Sequence, residues 1–208
     1  MLYELFFECI RIPYAAAGCC ANYTIRRERD TLYIFFEKSV GTVDWKSNFD
    51  FPAKAYKRME QTVWFAHRGF VAVWKEIEPL LAEHIADESI RKIIITGYSH
   101  GAAIAVLCHE YVWFHRPDLR ESTKGYGFGC PRVLWGRQTA DLRQRWNNFT
   151  VIRNIDDLVT HLPPAWLGYT HIGKLLTIGK KGKYTPTDAH RDWSSPPQRC
   201  SHCMYLAH

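Results

Sequence analysis

Lys92-Ile93-Ile94-Ile95-Thr96-Gly97-Tyr98-Ser99-His100-Gly101-Ala102-Ala103-Ile104-Ala105 is the stretch on which the reading of this chain turns. Its opening run is apolar and β-branched without polar alternation, which suits a strand buried on both faces. Its closing run is small and helix-compatible. Between them stands a G-x-S-x-G pentapeptide, Gly97 to Gly101. The pentapeptide alone is a weak signal. Strand leading in and helix leading out are what a nucleophile elbow requires, with the serine hydroxyl exposed at the apex of a tight turn. The two glycines permit that turn, and Ala102 and Ala103 leave room for close helix–sheet packing.

Outward from the elbow, the chain reads as strands alternating with helices. Leu2 to Ala21 suggests an opening helix ending near Gly18. Tyr23 to Arg29 and Leu32 to Phe36 read as strands. Phe70, Val73, Trp74, Ile77, Leu80, Leu81 and Ile85 recur at helical spacing, which predicts an amphipathic helix from about Arg68 to Asp87. Pro79 is expected to kink or divide it. Gly101 to His115 is predicted helical and stopped by Pro117. Gly125 to Gly129, Phe149 to Arg153 and Lys174 to Ile178 read as strands, and Thr139 to Trp146 as a helix. The alternation predicts an α/β fold with a mostly parallel central sheet flanked by helices. No repeat, low-complexity tract or linker interrupts 1–208, so one domain is expected.

Composition sets the outer bounds. Of 208 residues, 47% are hydrophobic and 23% charged, the balance of a globular domain. The net charge of +6 is spread along the chain, and only Arg26-Arg27-Glu28-Arg29 and Lys180-Lys181-Gly182-Lys183 cluster. No nucleic-acid partner is expected from so scattered a charge. No apolar run is long enough for a membrane span. The N-terminal stretch carries Glu4 and Glu8 and lacks a basic start, so it is a poor signal peptide. With seven cysteines, an odd number, a reduced cytoplasmic setting is expected. A secreted protein whose leader has been removed would look the same. Cys200-Ser201-His202-Cys203 has no second cysteine pair at zinc-binding spacing, so no metal is expected.

A serine hydroxyl needs a general base, and the base needs an orienting carboxylate. In an elbow of this type both follow the serine, acid before base. Asp156 and Asp157 lie just past the Phe149–Arg153 strand, where catalytic groups of open α/β sheets gather. His161, His171, His190, His202 and His208 follow. His208 is terminal, and residue chemistry alone leaves His171, His190 and His202 open.

These segments together resemble the class 3, fungal-type triacylglycerol lipases of the α/β-hydrolase superfamily. The resemblance runs through Leu32 to Ser39 with Asp44-Trp45, then His67-Arg68-Gly69-Phe70, then the elbow. It continues through Gly129-Cys130-Pro131-Arg132-Val133 and Asp156-Asp157-Leu158-Val159-Thr160-His161-Leu162-Pro163-Pro164. It implies an α/β-hydrolase fold and a triad of Ser99, Asp157 and His202, with His190 as the fallback base. It further implies oxyanion donors at Ser39 and His100, and a substrate region including Trp45, Phe49 and His67. Two departures stand out. The family's Phe-Arg-Gly-Thr/Ser reads Phe36-Glu37-Lys38-Ser39, and its usual Leu after the nucleophile is His100.

The implied activity is that of a serine ester hydrolase, a lipase or carboxylesterase acting on acylglycerols or other short-to-medium-chain esters without a cofactor. Its partners would be a lipid or small ester and, transiently, a lipid interface. Lys46, Ser47 and Asn48 between Trp45 and Phe49 make a covering segment too polar for strong interfacial activation. The same triad would serve a phospholipase, thioesterase or acyltransferase. A catalytically dead hydrolase fold that binds lipid or protein is the reading from another class.

Overall fold

The computed structural model describes residues 2–14, 21–37, 53–56, 64–154 and 156–178. Six strands build the main sheet: β1 (Tyr23–Glu28), β2 (Thr31–Phe36), β5 (Lys92–Tyr98), β6 (Lys124–Phe128), β8 (Phe149–Asn154) and β10 (Lys174–Ile178). They lie side by side in that order. β1 and β2 form an antiparallel hairpin whose turn residue Arg29 has φ 56°. Every other pairing in the sheet is parallel. The predicted, mostly parallel α/β sheet is present.

β5 lies inside this sheet, between β2 and β6, which accounts for its unbroken apolar run. Ile93 and Ile95 join one core and Ile94 and Tyr98 the other. A strand that packs on both faces has no solvent side on which to place polar residues. Helix α1 (Leu2–Arg11) covers one face. Its Phe6 ring meets Tyr98 at 6.0 Å and Phe128 at 5.0 Å, both edge-on. Helices α2 (Arg68–Ala86) and α3 (His100–His115) cover the other.

One helix expectation changes and one is narrowed. α1 ends at Arg11 rather than near Gly18. Pro13 disfavours helical backbone at Ile12 and supplies no N–H to continue the ladder. α2 runs unbroken through Pro79. Pro79 and Lys75, whose carbonyl loses its donor, both lie on the exposed face, so water can satisfy that oxygen.

α3 is buried from His100 to Val112. Beyond it, the Arg116 guanidinium donates to the carbonyls of Ile85 (2.7 Å), Asp87 (3.0 Å) and Ile90 (3.1 Å). It thereby closes the C-terminal end of α2, where carbonyls lack helical partners. Helix α4 (Ala140–Arg145) starts on Thr139, whose side chain accepts from the Leu142 amide at 3.2 Å. A buried ion pair, Arg145 to Glu110 at 2.9 Å, fastens α4 to α3.

A second, antiparallel sheet, which no sequence pattern announces, runs in the order β3 (Ala53–Tyr56), β4 (Trp64–His67), β7 (Leu134–Trp135) and β9 (Tyr169–Thr170). Two of its strands are two residues long, too short for alternation to register. It holds the start of α2 against the loop that follows β6, with the His67 amide donating to the Val133 carbonyl at 2.9 Å.

Candidate active site

The parallel register brings several strand ends to one edge. Phe36 pairs with Gly97, Tyr98 with Phe128, and Phe128 with Ile152. Ser99 leaves β5 at this edge with φ 56° and ψ −121°. A non-glycine residue there is strained, at a cost of about 1–3 kcal/mol. Surrounding structure enforces it: the Ser99 amide donates to the Phe128 carbonyl at 2.9 Å, and the Ser99 carbonyl accepts from Ala102 at 3.0 Å. Only 9% of the residue's surface is exposed.

The glycines explain the spacing of the motif. A Cβ on Gly97 would meet the Gly101 carbonyl oxygen at 2.2 Å. One on Gly101 would meet the Glu37 and Phe36 carbonyl oxygens at 2.3 and 2.4 Å. Strand and helix therefore touch through main chain, and α3 begins directly against the end of β2. Residue 38 follows from that point. Ser39, Trp45 and Phe49 lie outside the described residues, as does His202.

His100 is the first residue of α3 and is buried. The first helical N–H has no carbonyl four residues back within its own helix, and anions are favoured at this end. The His100 ring stands edge-on to Phe70 at 5.4 Å, and Phe70 stacks on His67 at 4.0 Å and 21°. His67 has no exposed surface. It forms a row of rings with Phe70 and His100 beside the elbow.

β8 ends two strands away from β5, with β6 between, a separation of about 10 Å. Asp157 lies three residues past that end and is fully buried, whereas Asp156 is half-buried. The Asp157 amide donates to the Asn154 carbonyl at 3.2 Å. Its carboxylate accepts from the Val159 amide at 2.9 Å, and its carbonyl accepts from Thr160 Oγ1 at 2.8 Å. The carboxylate is thus the N-cap of the short helix Leu158–His161.

Among the described histidines, His171 is bound to structure. Its Nε2 donates to the Thr160 carbonyl at 2.8 Å, and burial pulls its pKa down to about 4. The His161 carbonyl accepts from the Arg132 guanidinium, which also donates to Pro163 at 2.8 Å. Arg132 thus pins the segment after Asp157 to the turn after β6. That link was invisible at the level of single residues, although Arg132 and Pro163 both lie in segments that the sequence singles out. β10 brings the chain back to the edge, with Ile178 opposite Asn154. His190 and His202 follow in sequence and lie outside the described residues.

Among the described residues no three His, Cys, Asp or Glu side chains converge as metal ligands. No helix there is long and apolar enough to cross a membrane.

Comparison with known proteins agrees with this geometry. The profile of the family described as Lipase (class 3) matches residues 33–166, more than half the chain. A lipase of Rhizomucor miehei is 29% identical over 149 residues, covering 69% of this chain and 40% of that protein. A secreted mono- and diacylglycerol lipase of Fusarium solani is 25% identical over 158 residues, covering 74% and 46%. The chain therefore spans less than half the length of these curated relatives. A fungal lipase solved with an inhibitor superposes with a TM-score of 0.66 at 25% identity, covering 79% of this chain and 64% of that one.

Proposed function

The chain belongs to the class 3 lipase family, and from that premise we propose that it is a serine ester hydrolase that cleaves acylglycerols or related esters through an acyl-enzyme on Ser99. The observation that carries the reading is the strained turn that sets Ser99 at the sheet edge on which buried Asp157 also stands.

Ser99 Oγ attacks the ester carbonyl as His202 takes its proton. Asp157 holds the imidazole in the required tautomer and stabilises its cation. The amides of His100 and Ser39 receive the oxyanion, each donor worth on the order of 10²–10³ in rate. His202 then protonates the departing alcohol, and water repeats the cycle to free the acid. Two features support this assignment of roles. Asp157 is the buried carboxylate of the Asp156-Asp157 pair, and β10 ends at the catalytic edge before the histidines of 179–208. Trp45, Phe49 and His67 are assigned to the substrate region, His67 beside its stacking partner Phe70.

The Fusarium solani relative named as secreted supports the secreted alternative over a cytoplasmic setting. Detection of the protein in the medium of its producing cells, rather than in their lysate, tests that point.

Hydrolysis of p-nitrophenyl butyrate and p-nitrophenyl palmitate by the wild type and Ser99→Ala tests the function. Turnover by the wild type alone, with fluorophosphonate labelling of the wild type alone, supports it. A folded wild type that neither turns over nor labels overturns it.

A further inference from the structure

β1 begins where β2 ends, at the sheet edge on which Ser99 stands. Their register closes with Tyr23 opposite Phe36, and one step further on Asn22 faces Glu37. Two hydrogen bonds join this pair. The Glu37 amide donates to the Asn22 carbonyl at 3.0 Å, and Asn22 Nδ2 donates to Glu37 Oε2 at 2.7 Å. Both residues are half-buried, and hydrogen bonds to a carboxylate are among the stronger ones. From the α1 side the Cys9 thiol donates to the Phe36 carbonyl at 3.7 Å. On the α3 side the Glu37 carbonyl oxygen would lie 2.3 Å from a Cβ on Gly101. Residue 37 is thus gripped by Asn22 and set, main chain to main chain, on the first turn of the nucleophile's helix.

Glu37 stands where the family has arginine. It puts a negative charge near an edge where the proposed chemistry develops another, on the ester oxygen. A carboxylate free to turn toward that oxygen would oppose it. The bond from Asn22 draws the carboxylate toward β1, the neighbour of β2 on the side away from β5. Lys38 and then Ser39, the proposed second oxyanion donor, follow in sequence.

We propose that Asn22 and Glu37 are a positioning pair for the oxyanion hole. They fix the end of β2 against the elbow, set the spacing between the donors of Ser39 and His100, and keep the carboxylate turned from the developing charge. The pair acts through the donors and not on the ester itself. The inference rests on the ester-hydrolase reading and deepens it.

The test is steady-state hydrolysis of p-nitrophenyl butyrate by Asn22→Ala, Asn22→Asp, Glu37→Gln and the double variant Asn22→Asp with Glu37→Gln. Asn22→Ala and Asn22→Asp are expected to lower kcat about tenfold, short of the loss of a whole donor, with KM nearly unchanged. Glu37→Gln keeps an oxygen for the Asn22 N–H and is expected to stay close to the wild type. In the double variant the glutamine amide can donate to the aspartate, so kcat is expected to recover from its level in Asn22→Asp. An alkylboronic acid forms a tetrahedral adduct on Ser99 with an oxygen at the oxyanion position. Its inhibition constant is expected to rise by the factor by which kcat falls. Arg27→Ala breaks the Arg27–Asp87 pair (2.7 Å) toward the other end of the hairpin. It measures general loosening and is expected to keep kcat.

Four results overturn the proposal and leave the hydrolase reading standing: wild-type kcat in Asn22→Ala, an equal loss in Arg27→Ala, a rise in KM alone, or no recovery in the double variant. A folded wild type that neither turns over ester nor takes a fluorophosphonate label overturns the hydrolase reading, and the positioning role with it.

Discussion

A methyl group on Gly101 would lie 2.4 Å from the carbonyl oxygen of Phe36, so the nucleophile's helix and the end of β2 meet with no side chain between them. The chain leaves β2 at this point toward Ser39. We propose that this contact also governs the oxyanion hole. Gly101→Ala forces the main chains apart, an overpacking cost of about 1–3 kcal/mol. We expect a lower urea midpoint and a loss of kcat on p-nitrophenyl butyrate larger than the change in KM. An unchanged kcat would show that this spacing does not matter to the chemistry.

Ser99 stores strain, and the strain can be released. Glycine adopts φ 56° freely, whereas alanine keeps the steric conflict of a Cβ. Ser99→Gly and Ser99→Ala are both expected to be inactive, with the glycine variant about 1 kcal/mol more stable in urea unfolding. Equal stabilities would mean that the turn is not strained.

The pair Glu110–Arg145 is buried on both sides, with side-chain exposures of 0% and 5%. Removing one partner takes the opposite charge from a buried group, which costs up to about 3–5 kcal/mol. Arg145→Met is therefore expected to lower stability by that order, and the double change Glu110→Leu with Arg145→Met to recover much of the loss. A double variant no better than the single one would assign the cost to packing of the arginine stem.

Acid should unfold this protein through two histidines. Burial holds His109 down to about 3 and His171 to about 4. Both are depressed below the unfolded value of about 6.5. Above pH 6.5 neither state binds the proton, and the folded state has its full stability. As pH falls from 6.5 toward 4, the unfolded chain takes up protons that the folded chain refuses. Each group then removes about 1.4 kcal/mol per pH unit. Unfolding free energies at pH 7, 6 and 5 measure this slope, and His109→Gln is expected to shallow it. A slope unchanged by that variant would place the acid sensitivity elsewhere.

Much of the elbow side of the molecule was legible because its signals are local. The unbroken apolar run of β5 matches a strand with α1 on one face and α2 and α3 on the other. The small residues of α3 match its burial. What escaped depends on contacts between distant segments. Nothing in the order Leu134-Trp135 or Tyr169-Thr170 marks a strand, since each becomes one only by pairing with a distant segment. His67 reads as part of a substrate region through its motif, while its burial and its stack on Phe70 emerge only in the fold. Pro79 is expected to kink or divide α2 because the rule for proline is local; it does not divide the helix, whose packing on the core outweighs one lost hydrogen bond. Asp156 and Asp157 were equal on chemistry; burial separates them.

That separation gives the sharpest test of the site. Asp157 serves two ends at once: its carboxylate caps the Leu158–His161 turn through the Val159 amide at 2.9 Å, and in the proposed triad it orients the base. Asp157→Asn keeps an oxygen to accept the Val159 N–H, so the cap survives and stability should fall by no more than about 1 kcal/mol. The amide cannot stabilise an imidazolium and favours the wrong tautomer, so kcat should fall by about 10⁴. Asp156→Asn, at a half-buried position, should leave both nearly unchanged. The base is tested beside it. His202→Ala should cost as much activity as Ser99→Ala, and His190→Ala little. If His190→Ala is the inactive variant, the base is the earlier histidine and the order of serine, acid and histidine still holds. If neither variant loses activity, the triad as assigned is wrong, and the buried Asp157 serves only to cap its turn.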